Sequence, residues 1–151
     1  MSRFEDVSKE VDDFVRTVRK DYFGELASAN IKVLYDTKKR KSKKRIVVSR
    51  IQKANDLIKC LTMDDINEEV DYILYIDKEV FASIDDSDKV RLIRRELRHC
   101  FVDMEANNDP YSLQDFEISD FYDEIDLNKD DPRWFERVLT VAESIYSDND
   151  R

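Results

Sequence analysis

The chain has 151 residues, 40% of them charged and 41% hydrophobic, with one Gly, two Pro and a formal net charge of −9. That length suits one domain with one core over residues 1–151, and so few turn formers favour helices over tightly turned strands. No apolar run approaches the ~20 residues that cross a bilayer, and the opening MSRFEDVSKEVDDF is acidic and amphipathic, unlike a signal or transit peptide, so no membrane partner and a cytoplasmic location are expected.

Residues 3–23 place Phe4, Val7, Val11, Phe14, Val15, Val18 and Tyr22 at steps of three and four, which predicts an N-terminal amphipathic helix. IKVLYD (31–36) and RIVVSRI (45–51) are rich in β-branched residues and predict strands. Between them, KKRKSKKR (38–45) holds seven basic residues in eight and reads as the loop of a hairpin. KANDLIKCLTMDDINEEV fits either a short helix or an irregular connection. VDYILYID (70–77) is nearly continuous in apolar residues and predicts a strand buried on both faces. KEVFASI predicts a helical turn. DDSDKVRLIRRELRHCFVDM (85–104) predicts a long helix, with Asp86 or Ser87 as its N-cap. EANNDPYS reads as a loop. LQDFEISDFYDEI (113–125) and DPRWFERVLTVAESIY (131–146) predict two C-terminal helices, with Pro132 in the first turn of the second. The order of helix, strands and helices gives an α+β arrangement on a three- to four-stranded sheet.

RRELRHCFVD (94–103) raises the question of chemistry. Arg95-Glu96-Leu97-Arg98-His99 departs from H-E-x-x-H, the zinc-peptidase helix, only at its first residue. Such a site needs two imidazoles at i and i+4 on one metal, a third ligand and an open position for water, with the glutamate as general base. His99 is the one histidine in the chain, so no arrangement supplies two imidazoles. On a continuous helix, Val90, Ile93, Leu97, Cys100, Phe101 and Met104 form a core face, while Leu92, Glu96, His99 and Asp103 line one edge. Arg91, Arg94, Arg95 and Arg98 fall on the far side. Two readings of these residues stand. Arg95 is one of four arginines on a solvated face and His99 an edge histidine bonded to a carboxylate, or the motif is what remains of a metal site. Cys60 and Cys100 form no C-x-x-C pair and read as reduced, buried thiols.

DYILYIDKEVF, a short spacer, RRELRHCFVD and then YSLQDFEISDF together resemble the phage metallopeptidase family, small SprT-like or zincin-like domains encoded by phages and prophages. The upstream helix, strand, Lys-rich loop and RIVVSRIQKANDLIKCL fit the same pattern, so the resemblance runs from about residue 8 to residue 125. It implies a zincin-like fold with an N-terminal helix, a motif helix and C-terminal helices. The family pattern is a strand ending in IDK, then H-E-L-x-H-C, then a segment of the type L-x-x-H-D-V-E-E-F. Glu96, Leu97, His99 and Cys100 match it. Arg95 stands at the first histidine and Phe116 at the downstream histidine, so two of three expected ligands are replaced. The resemblance therefore implies no catalytic residue beyond a remnant Glu96, no metal ligand beyond a remnant His99, and no cofactor, with a weak mixed zinc site left open. It suggests a substitution in which the Arg95 guanidinium stands in for the metal's charge, pairing with Glu117, Asp120 or another acidic neighbour, and the Phe116 ring fills the vacated volume.

The function expected on this basis is a non-enzymatic phage- or prophage-type accessory protein on an inactivated metallopeptidase scaffold. It would bind, and inhibit, a host or anti-phage defence protein in the host cytoplasm. One alternative is a metal-dependent peptidase with an atypical site. A second is a nucleic-acid binder acting through Lys38, Lys39, Arg40, Lys41, Lys43, Lys44 and Arg45. From Asp103 to Arg151 there are fifteen acidic and four basic residues, so an acidic C-terminal third is another candidate contact surface.

Overall fold

A computed structural model of the chain describes residues 2–42, 45–62, 69–106, 108–115 and 121–147. The order is β1 (Phe4–Asp6), α1 (Lys9–Tyr22), a 3-10 turn (Gly24–Leu26), β2 (Ile31–Asp36), β3 (Lys41–Ser42), β4 (Arg45–Ile46), β5 (Ser49–Lys53), α2 (Asp56–Thr62) and β6 (Tyr72–Asp77). α3 (Lys78–Ser83), α4 (Asp86–Leu97), β7 (Cys100–Val102), β8 (Tyr111–Leu113), α5 (Tyr122–Leu127) and α6 (Trp134–Ser147) follow. The class is α+β, as the order of elements predicts. Four strands form one sheet in the order β1-β2-β6-β5. β2 and β6 run parallel, while β1 on β2 and β5 on β6 are antiparallel.

β6 is the inner strand that its apolar run predicts. Tyr72, Leu74 and Ile76 are fully buried on one of its faces, where they meet Val15 and Val18 of α1, Ile93 and Leu97 of α4, and Val138 of α6. On its other face the Tyr75 ring lies 5.0 Å from that of Phe4. Each such aliphatic side chain, wholly removed from water, contributes roughly 1.5–3 kcal/mol. At the strand's end, Asp77 caps α3 through the Val80 N–H at 3.0 Å and accepts a short hydrogen bond from the Tyr146 hydroxyl of α6.

Four expectations about the elements need correction. Helical spacing runs back to Phe4, yet α1 starts at Lys9, because Ser8 accepts the Val11 N–H at 3.2 Å and ends the extended chain there. The residues before it pair with β2, Phe4 opposite Asp36, so strand pairing overrides the periodicity. IKVLYD and RIVVSRI do not form a hairpin with each other, since β6 lies between β2 and β5. The basic run makes a small ribbon of its own, with Lys41 opposite Ile46 and Ser42 opposite Arg45. The motif helix ends at Leu97 rather than continuing to Met104. Cys100–Val102 pairs with Tyr111–Leu113, and the Tyr72 hydroxyl fastens that ribbon by donating to the Ser112 carbonyl at 2.8 Å. Phe101 and Met104 are accordingly exposed. Leu113 thus belongs to a strand, and the helix expected over 113–125 is seen from Tyr122 onward.

α4 starts after Asp85, one residue before the expected cap. Cys100 is buried, whereas Cys60 is exposed on α2. No helix among the described residues is long and apolar enough to cross a membrane.

Candidate functional site

α4 packs its Leu92, Ile93 and Leu97 face into the core, and the last turn of the helix brings Arg95, Glu96 and His99 to the edge of the sheet beside β5. That turn tightens. The Arg98 N–H bonds the Arg94 carbonyl at 3.0 Å, and the His99 N–H reaches only to Glu96, at 3.1 Å. Gln114, just past β8, receives the helix end. Its side-chain amide donates to the Arg98 carbonyl at 2.8 Å and its backbone N–H to the His99 carbonyl at 2.6 Å.

Between this turn, β5, the end of β8 and α6 lies a cleft of about 540 Å³. Glu96 lies at its inner edge and is buried. Its carboxylate accepts the Ser49 hydroxyl at 2.8 Å, and the Ile51 backbone amide favours its charged form. Burial is the largest influence and pushes the Glu96 carboxyl above its ordinary range. The Ser49 hydroxyl, the charges of His99 and Arg95, and the Ile51 amide only partly offset it.

The sign of the stability effect follows. A carboxyl with a folded value above its unfolded value binds its proton more readily when folded. Stability is therefore lost as pH rises from the ordinary glutamate value through the raised one. Glu96→Gln removes that loss and keeps an acceptor for Ser49. The variant is expected to be more stable than the parent at neutral pH, with the gap closing in acid. Urea midpoints at neutral and acid pH measure it, and a less stable variant at neutral pH would show that the buried charge is net favourable.

His99 is half-buried. Its Nδ1 lies 2.7 Å from the Gln114 carbonyl, which can only accept, so Nδ1 carries a hydrogen. The ring meets Phe121 edge-on, with centroids 5.1 Å apart. The expected carboxylate partner is thus replaced, at Nδ1, by a backbone carbonyl. Arg95 is also half-buried, and its guanidinium lies over the Phe135 ring of α6 at 3.8 Å from the centroid. Phe116, Glu117 and Asp120, the residues expected to fill or answer the old metal position, lie outside the described residues.

Among the described residues the donor chemistry does not fit a catalytic zinc. One imidazole is present, the neighbouring carboxylate is engaged by a hydroxyl, and a fixed guanidinium stands where the first histidine would be. Among the described residues, no three His, Cys, Asp or Glu side chains group as metal ligands.

The other arginines of α4 do not form a solvated face. Arg94 is buried and bonds Glu124 Oε1 at 2.9 Å and Asn128 Oδ1 at 2.6 Å. Arg98 takes Glu124 Oε2 at 2.9 Å, so two guanidinium groups share one wholly buried carboxylate. Arg91 and Arg137 share Asp88 in the same way, at 2.9 and 2.8 Å. Burial alone would raise the Asp88 carboxyl, but the two guanidinium groups outweigh it and hold it below its ordinary range. Glu124 comes from the acidic C-terminal third, so part of that charge is spent inside the protein.

The basic run is also partly engaged. Arg40 bonds Asp36 at 3.2 Å alongside Arg3 at 2.8 Å, and Lys39 lies over the Tyr146 ring at 5.6 Å. Lys43 and Lys44 lie outside the described residues. Arg45 is exposed and lines the cleft, together with Ile46. The sequence gives no local sign of Ser49, Phe135 or Gln114 as parts of this site. Ser49 is 47 residues from Glu96, and only the packing of β5 on α4 joins them.

A family model described as putative phage metallopeptidase matches residues 2–146. No curated protein and no solved structure matches the chain. The family match spans nearly the whole sequence, including the sheet, the motif helix and the cleft beside it, and the chain belongs to the putative phage metallopeptidase family.

Proposed function

We propose that this chain is a non-catalytic member of its family: a zincin-like scaffold that has given up its metal and works by binding a host or anti-phage defence protein in the host cytoplasm, as an inhibitor. The observation that carries the reading is the Arg95 guanidinium, packed on Phe135 beside a Glu96 already held by Ser49. A general base must be open to the water it deprotonates, and a catalytic zinc must find three protein donors. At this corner the first donor position holds a cation and the carboxylate is occupied. The fold keeps the cleft while its residues stop serving hydrolysis.

The experiment has two arms. Purified protein is expected to carry far less than one equivalent of zinc by elemental analysis, to keep its melting temperature in chelator, and to cleave no peptide. Zinc near one per chain, bound through His99, would overturn the reading in favour of an atypical peptidase. In the second arm, affinity capture from host lysate is expected to return the same protein with the parent and with Glu96→Gln, since a binding role does not need the carboxylate's charge. Loss of capture in Glu96→Gln would tie the function back to the old general base.

A further inference from the structure

The two faces of the sheet differ in chemistry. Tyr72, Leu74 and Ile76 of β6 meet the helices, so alternation along the strand turns Ile73 and Tyr75 to the outer face. Register sets Leu34 of β2 and Arg50 of β5 on either side of Tyr75, and Lys32 and Gln52 on either side of Ile73. Phe4 of β1 reaches the same face, its ring centroid 5.0 Å from that of Tyr75. None of Phe4, Leu34, Ile73 and Tyr75 belongs to the apolar cluster through which the sheet packs on α1, α4 and α6. Ile73 is buried, Phe4, Leu34 and Tyr75 are half-buried, and Arg50 is exposed. The outer face thus turns an aromatic pair partly toward solvent, with a guanidinium beside it.

The basic run at 38–45 contains no aromatic residue, and the fold brings it to two. The buried Asp36 carboxylate, at the end of β2 and opposite Phe4, takes Arg3 at 2.8 Å and Arg40 at 3.2 Å. It therefore holds the root of the β3–β4 ribbon against the outer face, where Arg40, Arg50 and Tyr75 line one shallow depression. Arg3 and Arg40 exceed the carboxylate they share by one positive charge. Lys32 is matched by Asp6 at 2.9 Å, and Asp77 is engaged by the Val80 N–H and the Tyr146 hydroxyl. Lys38, Arg45 and Arg50 add exposed cations to that surplus, on a chain whose net charge is −9. An acidic peptide would use the cations and leave the rings unmet. A single nucleic acid strand uses both, because its bases present flat faces and its phosphates recur at every step. A duplex hides those base faces in its own stack.

From this we infer that the outer face of the sheet binds single-stranded nucleic acid, with bases against Phe4 and Tyr75 and phosphates along Arg50 and the basic ribbon. Ser49, which holds Glu96, projects from the other face of β5, so this surface is separate from the cleft and goes beyond the binding role proposed above.

The test uses the full chain and fluorescein-labelled thymidine and uridine dodecamers, with a duplex of the same length and unlabelled polyglutamate as controls. Anisotropy at low salt is expected to show at least one strand binding about tenfold or more tighter than the duplex, and the tighter strand identifies the preferred sugar. Polyglutamate should compete poorly. F4L/Y75L keeps apolar bulk and removes both rings. It is expected to fold, as circular dichroism would verify, and to lose about fivefold or more in affinity with the salt dependence unchanged. R50Q removes an exposed charge and should lower the slope of log affinity against log salt by about 0.7, the value for one phosphate contact on a single strand. No binding of either strand, a duplex that binds as tightly, polyglutamate that competes equally, or full affinity in folded F4L/Y75L would each overturn the inference. If the double variant does not fold, F4L in the edge strand β1 carries the same prediction at reduced size.

Discussion

Replacing Glu124 by alanine is expected to destabilise the protein by about 3–5 kcal/mol, the range for removing one partner of a buried ion pair. Its carboxylate is wholly buried between Arg94 and Arg98, both at 2.9 Å. Without it, among the described residues the buried Arg94 keeps Asn128 and its contact with the Tyr22 ring, 4.8 Å away. Arg98 retains Asp123 at 3.5 Å and the Phe23 ring at 5.0 Å. A positive charge in that setting has lost its compensation and cannot shed its proton. Glu124→Gln keeps one acceptor oxygen and should fall between the parent and the alanine variant. Urea unfolding of the three proteins measures the series. A loss below about 0.5 kcal/mol for Glu124→Ala, the scale of an ordinary surface substitution, would mean that water reaches the two guanidinium groups once the carboxylate is gone.

The second large effect concerns metal. The double variant Arg95→His with Phe116→His is expected to bind zinc at least about a hundredfold more tightly than the parent, because two neutral imidazoles replace a fixed cation and an apolar ring. The His99 ring is already oriented by the Gln114 carbonyl at Nδ1. Competition against a chromogenic chelator measures the gain, with circular dichroism confirming the fold. Peptidase activity need not accompany it, since Glu96 stays bound to Ser49. The place of Phe116 comes from the likeness of LQDFEISDF to the family's downstream segment. A folded double variant that binds zinc no better than the parent would show that Phe116 does not occupy the third ligand position.

The inner strand was legible in the sequence because continuous apolar character has one meaning at that length, and α1 and α6 because their periodicity is strong. The failures share a cause. Phe4, Cys100 and Leu113 each continue a helical pattern, yet each sits in a segment that finds a pairing partner far along the chain, and no local pattern reports a distant partner. The arginines of α4 misled for a related reason. Charged residues on the outer side of a helix read as solvated unless an acidic segment is known to cover them, and Glu124 is thirty residues from Arg94. The remnant motif could be read residue by residue, because it is contiguous. Its contacts could not, because Ser49, Gln114 and Phe135 lie on β5, just past β8 and on α6.

The strand order β1-β2-β6-β5 also sets the order in which the molecule can be assembled. β5 leaves the ribosome before β6, and β6 is the one strand it pairs with among the described residues. Until residues 72–77 have been made, β5 has no place in the sheet, and α4, which supplies the opposite wall of the cleft, is later still. A nascent chain halted before residue 72 therefore presents both sides of β5 as open templates for pairing with other chains. β5 is in this sense the most vulnerable segment during synthesis, and the basic run at 38–45 just before it carries like charges of the kind that oppose such pairing.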